Sequence, residues 1–411
     1  MRRITIPFEN ETLDLEVDDA RLVGAWIGPP GLPPDEARHA VHEALNAPHG
    51  YPPLGRMVVE GDRVVIASNL ERSLADLVLP EVVARLKAAG VASLTIVSPR
   101  DLPAVAWEGV DHVKHDPADR DRLAYLATTQ AGERVYLDRT MVDADCTIVV
   151  GQLGPDDSGR IAGPWTLVYP GLTDFEGIKR ERAKPPKPAA TNPDDAEDDE
   201  EARDAPGEVS WLLGNPFQVA VLPGATGLHR LIAGEGKSVR EWSEAELAVA
   251  WSPRFAEAAD LVIAGIGAPG RQTTWEDLAA GLLSATRLVQ RGGRIVILSR
   301  LSAEIGPALH AVLNAQDRRA ASSALRGLEA EVDWPIARRI VDTLAWADVF
   351  LLSKLDSAIV DDLGMCPVES PRDAARLTKE ATSIIAIGQA DRAFPKLDDA
   401  EEDDNGSDTS P

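Results

Sequence analysis

Short β-branched runs alternating with amphipathic helical stretches of about 10 to 15 residues predict an α/β fold with largely parallel sheets. A chain of 411 residues is long enough for two to three domains, and seven apolar runs have the length and composition of buried strands. The runs fall into two groups separated by a Pro-rich acidic stretch, so each half is expected to build its own sheet.

In the first group, RVVIAS (63–68), SLTIVS (93–98) and CTIVVG (146–151) read as strands, and LPEVVARLKAA (79–89) as a helix closed by Gly90. In the second group the strands are ADLVIAG (259–265), RIVILS (294–299), DVFLLS (348–353) and SIIAIG (383–388). Helical patterns at 275–289, 307–315, 336–345 and 371–381 separate them. The expected division is an N-terminal domain over 1–250, a C-terminal α/β domain over 251–396 and a tail over 397–411, with the boundary near Trp251. In such folds ligands bind at the carboxyl ends of the strands, which singles out the loops 69–73, 99–103, 152–165 and 266–272.

The charge excludes several functions. With 67 acidic and 42 basic residues the chain carries −25, a poor match for nucleic acid or an anionic membrane. Eight acids lie between Asp194 and Asp204 and seven between Asp398 and Asp408; without these two runs the balance falls to −11. The segment 183–208 therefore reads as a disordered acidic, Pro-rich insert and the C-terminus as a disordered tail. Either run could recruit a basic protein partner, but charge blocks usually serve solubility. Two cysteines make neither a disulfide framework nor a Cys-rich zinc site, and no apolar signal or membrane-spanning run occurs, so a cytoplasmic location is expected.

Most catalytic signatures are missing. The seven histidines form neither HExxH nor a similar metal pattern, GxSxG is absent, and His115-Asp116 reads as a hydrogen-bonded turn. The glycine loop GIGAPG (Gly265, Gly267, Gly270) lies between a strand and a helix, as in dinucleotide sites. Pro269, however, removes a backbone donor, and Arg300 follows the next strand where an acid would hold ribose. The loop PDDSGR places Asp156, Asp157 and Arg160 after a buried strand, where a carboxylate can act as a general base or a magnesium ligand, or simply close a solvated turn.

These loops carry a resemblance that covers nearly the whole chain. IPFENETLDLEV, YPPL (51–54), GDRVVIASNLERS, HDPADRDRLAYLATT (115–129), VYLDRTMVDADCTIVVG (135–151) and YPGLTDFEGI (169–178) resemble the lactate racemase family in order and spacing. ADLVIAGIGAP, LVQRGGRIVILS and DVFLLS continue it in the second half. The resemblance implies two α/β domains with a cleft between them. It also implies an ancestry in racemisation of 2-hydroxy acids on a nickel-pincer nucleotide.

The family's functional positions are altered here. A motif of the type Ser-Asp-x-Thr-Arg-Pro reads Ser68-Asn69-Leu70-Glu71-Arg72-Ser73, and Pro103 stands nearest the first proton-shuttling histidine. Over 155–171, which aligns without a gap, Asp156 replaces the second histidine and Thr166 the lysine that tethers the cofactor. Arg182 replaces the histidine that ligates nickel. Threonine cannot form the thioamide attachment, and arginine, always protonated, cannot ligate a metal.

The resemblance thus implies a divergent relative that binds a small anion in the cleft, a hydroxy acid or a nucleotide phosphate. Ser68, Asn69, Arg72, Arg100 and Arg160 would line the site, with Asp156 or Asp157 as the base of any reaction. No cofactor is expected, the nickel-pincer nucleotide only if the family chemistry survives, and no metal ligand is assigned. Three alternatives stay open: a 2-hydroxyacid racemase or epimerase holding its cofactor non-covalently, a pseudoenzyme with a binding or regulatory role, and a nicotinamide-dependent oxidoreductase built on GIGAPG.

Overall fold

The computed structural model describes residues 1–100, 107–156, 160–183, 205–315, 318–329 and 331–398. The chain opens with a hairpin, β1 (Arg2–Phe8) and β2 (Glu11–Val17), followed by β3 (Leu22–Trp26) and α1 (Pro34–Asn46). Next come β4 (Arg63–Ser68), α2 (Arg72–Ala88), β5 (Ser93–Ser98), β6 (Asp111–Lys114), a second hairpin of β7 (Leu123–Thr128) and β8 (Arg134–Asp138), and α3 (Arg139–Val142). Then follow β9 (Cys146–Gln152), the short pair β10 (Gly154–Pro155) and β11 (Ile161–Ala162), α4 (Pro164–Val168), α5 (Phe175–Ala183) and α6 (Ala205–Leu212). β12 (Phe217–Pro223), β13 (Leu228–Gly234) and α7 (Gly236–Ala250) complete the first half.

The second half runs β14 (Arg254–Phe255), β15 (Ala259–Gly265), α8 (Trp275–Thr286), β16 (Val289–Leu298), α9 (Pro307–Leu313), α10 (Arg318–Ala324) and α11 (Trp334–Trp346). It ends with β17 (Asp348–Leu352), α12 (Ser357–Asp362), β18 (Cys366–Val368), α13 (Pro371–Leu377), β19 (Ile384–Ile387) and β20 (Lys396–Leu397).

Two six-stranded sheets organise these elements, which makes the fold the α/β class expected. The first has the order β13-β12-β9-β4-β5-β6 and is parallel except for the β12–β13 pair. The second has the order β18-β17-β16-β15-β19-β3 and is parallel throughout. Helices or hairpins cover both faces of each sheet, which is why the strands are continuous apolar runs rather than alternating ones. In the first sheet Ile66, Ile96 and Ile148 pack with Leu74, Val78 and Val82 of α2, while Val65, Val97 and Val149 face Leu137, Leu167 and Val168. In the second, Val262, Ile295 and Ile297 meet Leu278 and Leu282 of α8, and Leu261, Ile263 and Val296 meet Ile4, Ile6, Leu13 and Leu15 of the first hairpin.

Sheet membership therefore crosses the division expected at residue 250, because residues 2–26 pack on the second sheet and β3 forms its edge beside β19. Two further expectations are corrected. Of the insert 183–208, Ala183 closes α5 and residues 205–208 open α6, and the remainder lies outside the described residues. The tail begins later than 397, because β20 pairs with β14 and the Asp398 N–H donates to Phe255 O at 2.8 Å; residues 399–411 lie outside the described residues. Among the described residues no helix is long and apolar enough to cross a membrane.

Candidate functional site

In each sheet the strand order reverses once. The first sheet runs outward from β4 through β5 and β6, then resumes on the other side with β9 and β12. The second runs outward from β15 through β16 to β18 and resumes with β19. Crevices form outside the carboxyl ends of strands at such points, because the flanking loops diverge to opposite faces. Here both reversals open onto one cavity of about 710 Å³. Asn69, Glu71, Arg100 and the segment from Gln152 to Asp156 line it from the first sheet; Arg271, Asp277, Asp391 and Arg392 line it from the second. Arg240 and Glu244 of α7 reach it as well.

The residues expected from the sequence are placed unequally. Asn69 fastens the reversal of the first sheet: its Oδ1 accepts the Gln152 N–H at 2.9 Å, and Gln152 Oε1 accepts the Glu71 N–H at 3.2 Å. Ser68 is fully buried with its Oγ turned to the Leu70 N–H at 3.4 Å, so it shapes the turn and does not line the cavity. Arg72, expected to bind the anion, is also outside the lining. It opens α2 with a largely solvent-exposed side chain that pairs with Asp76 one turn on, at 3.6 Å. Arg100 lines the cavity, is exposed, and makes no ion pair with another described residue.

Asp156 and Arg160 meet across the β10–β11 hairpin, where Pro155 pairs with Ile161. The Asp156 carboxylate accepts the Arg160 N–H and Nε–H, both at 2.9 Å, and Arg160 Nη1 lies 3.8 Å from Glu181. Asp157 and Pro103 lie outside the described residues. Thr166 lines the cavity, but its hydroxyl is engaged within the first turn of α4: it accepts the Gly163 N–H at 2.9 Å and donates to Gly163 O at 3.0 Å. Arg182 falls within α5. Among the described residues no group of three or more His, Cys, Asp or Glu side chains is placed to hold a metal ion.

Of the wall supplied by the second sheet, the sequence singled out the loop 266–272 but none of its charged side chains. Arg271 makes a two-pronged pair with Asp277, at 2.7 and 2.8 Å, and its Nη2 lies 3.6 Å from Asp391. Burial works against the Arg271 charge, but the Asp277 bond outweighs it and the guanidinium stays protonated. Burial likewise disfavours the Asp277 carboxylate, yet the Arg271 hydrogen bond and charge hold it below its usual range. Asp277 also closes a capping box with Thr274, whose N–H donates to it at 2.8 Å. Arg392 pairs with Glu71, joining the turn after β19 to the turn after β4, and both side chains are buried. Burial first, then the neighbouring Asp277 charge, push the Asp391 carboxyl up to about 6. On the first-sheet side the Arg240 guanidinium lies over the Trp165 ring, 5.5 Å from its centre.

The glycine loop serves this wall. A Cβ on Gly265 would lie 2.2 Å from Pro7 O, and Gly267 sits at φ +87°. The Gly267 N–H donates to Asp391 Oδ1 at 3.2 Å, Gly267 O accepts from Glu9 N, and the Gly270 N–H donates to Asn10 Oδ1. These amides, which would cradle a pyrophosphate in a dinucleotide site, are therefore occupied by protein groups. Sequence signals for this wall were the loop 266–272 itself and the Asp-Arg pair that follows the strand 383–388.

No protein-family model matches the chain, and no curated protein matches it. Among solved structures it is similar to the lactate racemase apoprotein from Thermoanaerobacterium thermosaccharolyticum, with a TM-score of 0.76 and 16% identity over 96% of this chain and 100% of that one. A protein from Thermotoga maritima matches with a TM-score of 0.63 and 12% identity, over 91% and 100%. At these identities the likeness is one of fold, carried across the full length of that apoprotein.

Proposed function

We propose that the chain is a divergent relative of the lactate racemases that binds a small anion, a hydroxy acid or a nucleotide phosphate, between its two sheets. Nickel-pincer racemisation is not part of this reading. Arg100 carries the proposal: it is a guanidinium exposed to a cavity formed by both chain reversals and is not paired with another described residue. A planar guanidinium matches carboxylate and phosphate oxygens two at a time. Arg160 faces the same cavity and is oriented by Asp156, which makes Asp156 a positioning carboxylate before it is a base.

The residues at the cofactor positions support the loss of the pincer nucleotide. Thr166 has no amine to tether it, and its hydroxyl already closes a helical turn. The test is calorimetric titration of L-lactate, sulfate and adenosine monophosphate into the full chain and into two variants. Arg100→Ala is expected to weaken binding of the best ligand about 10-fold or more, a charge-assisted bond being worth roughly 1.5–3 kcal/mol. Arg72→Ala is expected to leave it unchanged. Equal affinity in wild type and Arg100→Ala, or no heat with any of the three anions, would overturn the reading.

A further inference from the structure

We propose that binding of an anion in the cleft is accompanied by uptake of one proton on Asp391, so that the site holds anions more tightly as the pH falls. The proposal rests on the anion-binding reading above and adds the proton to it.

The geometry is a charge imbalance. From α8, Asp277 occupies both prongs of Arg271, which belongs to the loop after β15. Arg392, next to Asp391 in its own turn, is taken by Glu71 at the start of α2. Asp391 is left as the third carboxylate among two guanidinium groups, buried at the cavity wall. It has the Gly267 N–H at 3.2 Å, and its nearest cation, Arg271, is only at 3.6 Å and already committed. The remaining charged groups around this end of the cavity are Glu276 of α8 and Arg100 after β5; β10, which packs on the Asp391 turn, brings no titratable side chain.

A buried carboxylate without its own counter-charge is unstable and tends to take a proton instead. Burial and the Asp277 charge already raise Asp391 to about 6. An anion drawn in by Arg100 adds a further negative charge to the same cavity and draws on the same cations. Its arrival disfavours the ionised form of Asp391 further, so the carboxyl takes up a proton. Because coupling between two binding events is reciprocal, proton binding must tighten anion binding by the same factor.

Sulfate is the probe, since it does not titrate between about pH 5 and about pH 8 and any proton exchanged belongs to the protein. Calorimetry near neutral pH in two buffers of different ionisation enthalpy should show uptake of about 0.5–1 proton per sulfate, with affinity rising severalfold per unit fall in pH. Asp391→Asn should still bind sulfate, with the uptake and the pH dependence lost. An infrared difference spectrum of the wild-type chain, which needs no variant, should gain a protonated-carboxyl band when sulfate is added. Sulfate binding with no proton uptake and no new band would overturn this inference and leave the anion-binding reading standing. Uptake that persists in Asp391→Asn would overturn the assignment to this residue. No sulfate binding at any pH would overturn both.

Discussion

Asp391 exchanges a solvated carboxylate in the unfolded chain, with an ordinary value of 3.8, for a buried one raised to about 6. Between those values the folded state binds the proton and the unfolded state does not, so the stabilisation is complete below about pH 4 and is lost as the pH rises through about 6. The penalty above that point is on the order of 1–3 kcal/mol. Asp391→Asn should therefore raise stability to urea at about pH 8 by that order and change it little near pH 4; a variant equally or less stable at pH 8 would show that the carboxylate is better compensated than its contacts indicate. His115 is the opposite case, a buried hydrogen-bond partner whose loss is costly. It sits between Asp138 Oδ2 at 3.2 Å and Thr173 O at 2.9 Å. Burial alone would raise Asp138, yet the His115 hydrogen bond holds it below its usual range. The sequence reading of His115-Asp116 as a turn was partly right: Asp116 does close a turn on Ala118 N at 2.9 Å, but the histidine reaches Asp138 instead. His115→Ala should cost about 1–3 kcal/mol in denaturant unfolding, because it takes one hydrogen-bond partner from a buried carboxylate that keeps the Thr140 N–H.

At the scale of elements, legibility followed the hydrophobic pattern. The runs at 63–68, 93–98 and 259–265 form strands with those bounds because both faces of each are buried. The helix expected over 79–89 begins seven residues earlier, at Arg72, because Leu74, Ala75 and Val78 extend the buried face and Pro80 is accommodated inside the helix. β1 and β2 alternate cleanly between buried and exposed residues, a period-two signal unlike the continuous apolar runs of the central strands. β10 and β11 are two residues each and carry no periodicity at all. The first hairpin also yields a prediction. Gly265 allows β1 to lie against the end of β15, and a Cβ there would sit 2.2 Å from Pro7 O and 3.0 Å from the Ile6 side chain. Gly265→Ala should lower stability by about 1–3 kcal/mol and expose residues 1–17 to proteolysis ahead of the rest of the chain. Unchanged cleavage kinetics at the N-terminus would argue against this packing.

For the whole molecule, the site is made where two chain reversals face each other, and this explains which half of it could be read. The first-sheet wall is local: Asn69 and Arg100 end two neighbouring strands, and Asp156 and Arg160 share one hairpin. The second wall is only partly local: Arg271 and Asp277 lie six positions apart, but Glu71 and Arg392 are 321 positions from each other. Nothing in the spacing of either residue announces the pair, which forms only once both sheets are assembled. The same assembly fastens the cleft with arginine–carboxylate pairs, while the hydroxyl of Thr166 closes its own turn. Under the proposed function, this fold binds an anion without the nickel-pincer nucleotide. Elemental analysis of the full chain, purified from cells that also make the enzymes of pincer-nucleotide synthesis, tests it most directly. Nickel well below one atom per chain, with no pincer absorbance, is the expected result; about one nickel per chain together with that absorbance would contradict it.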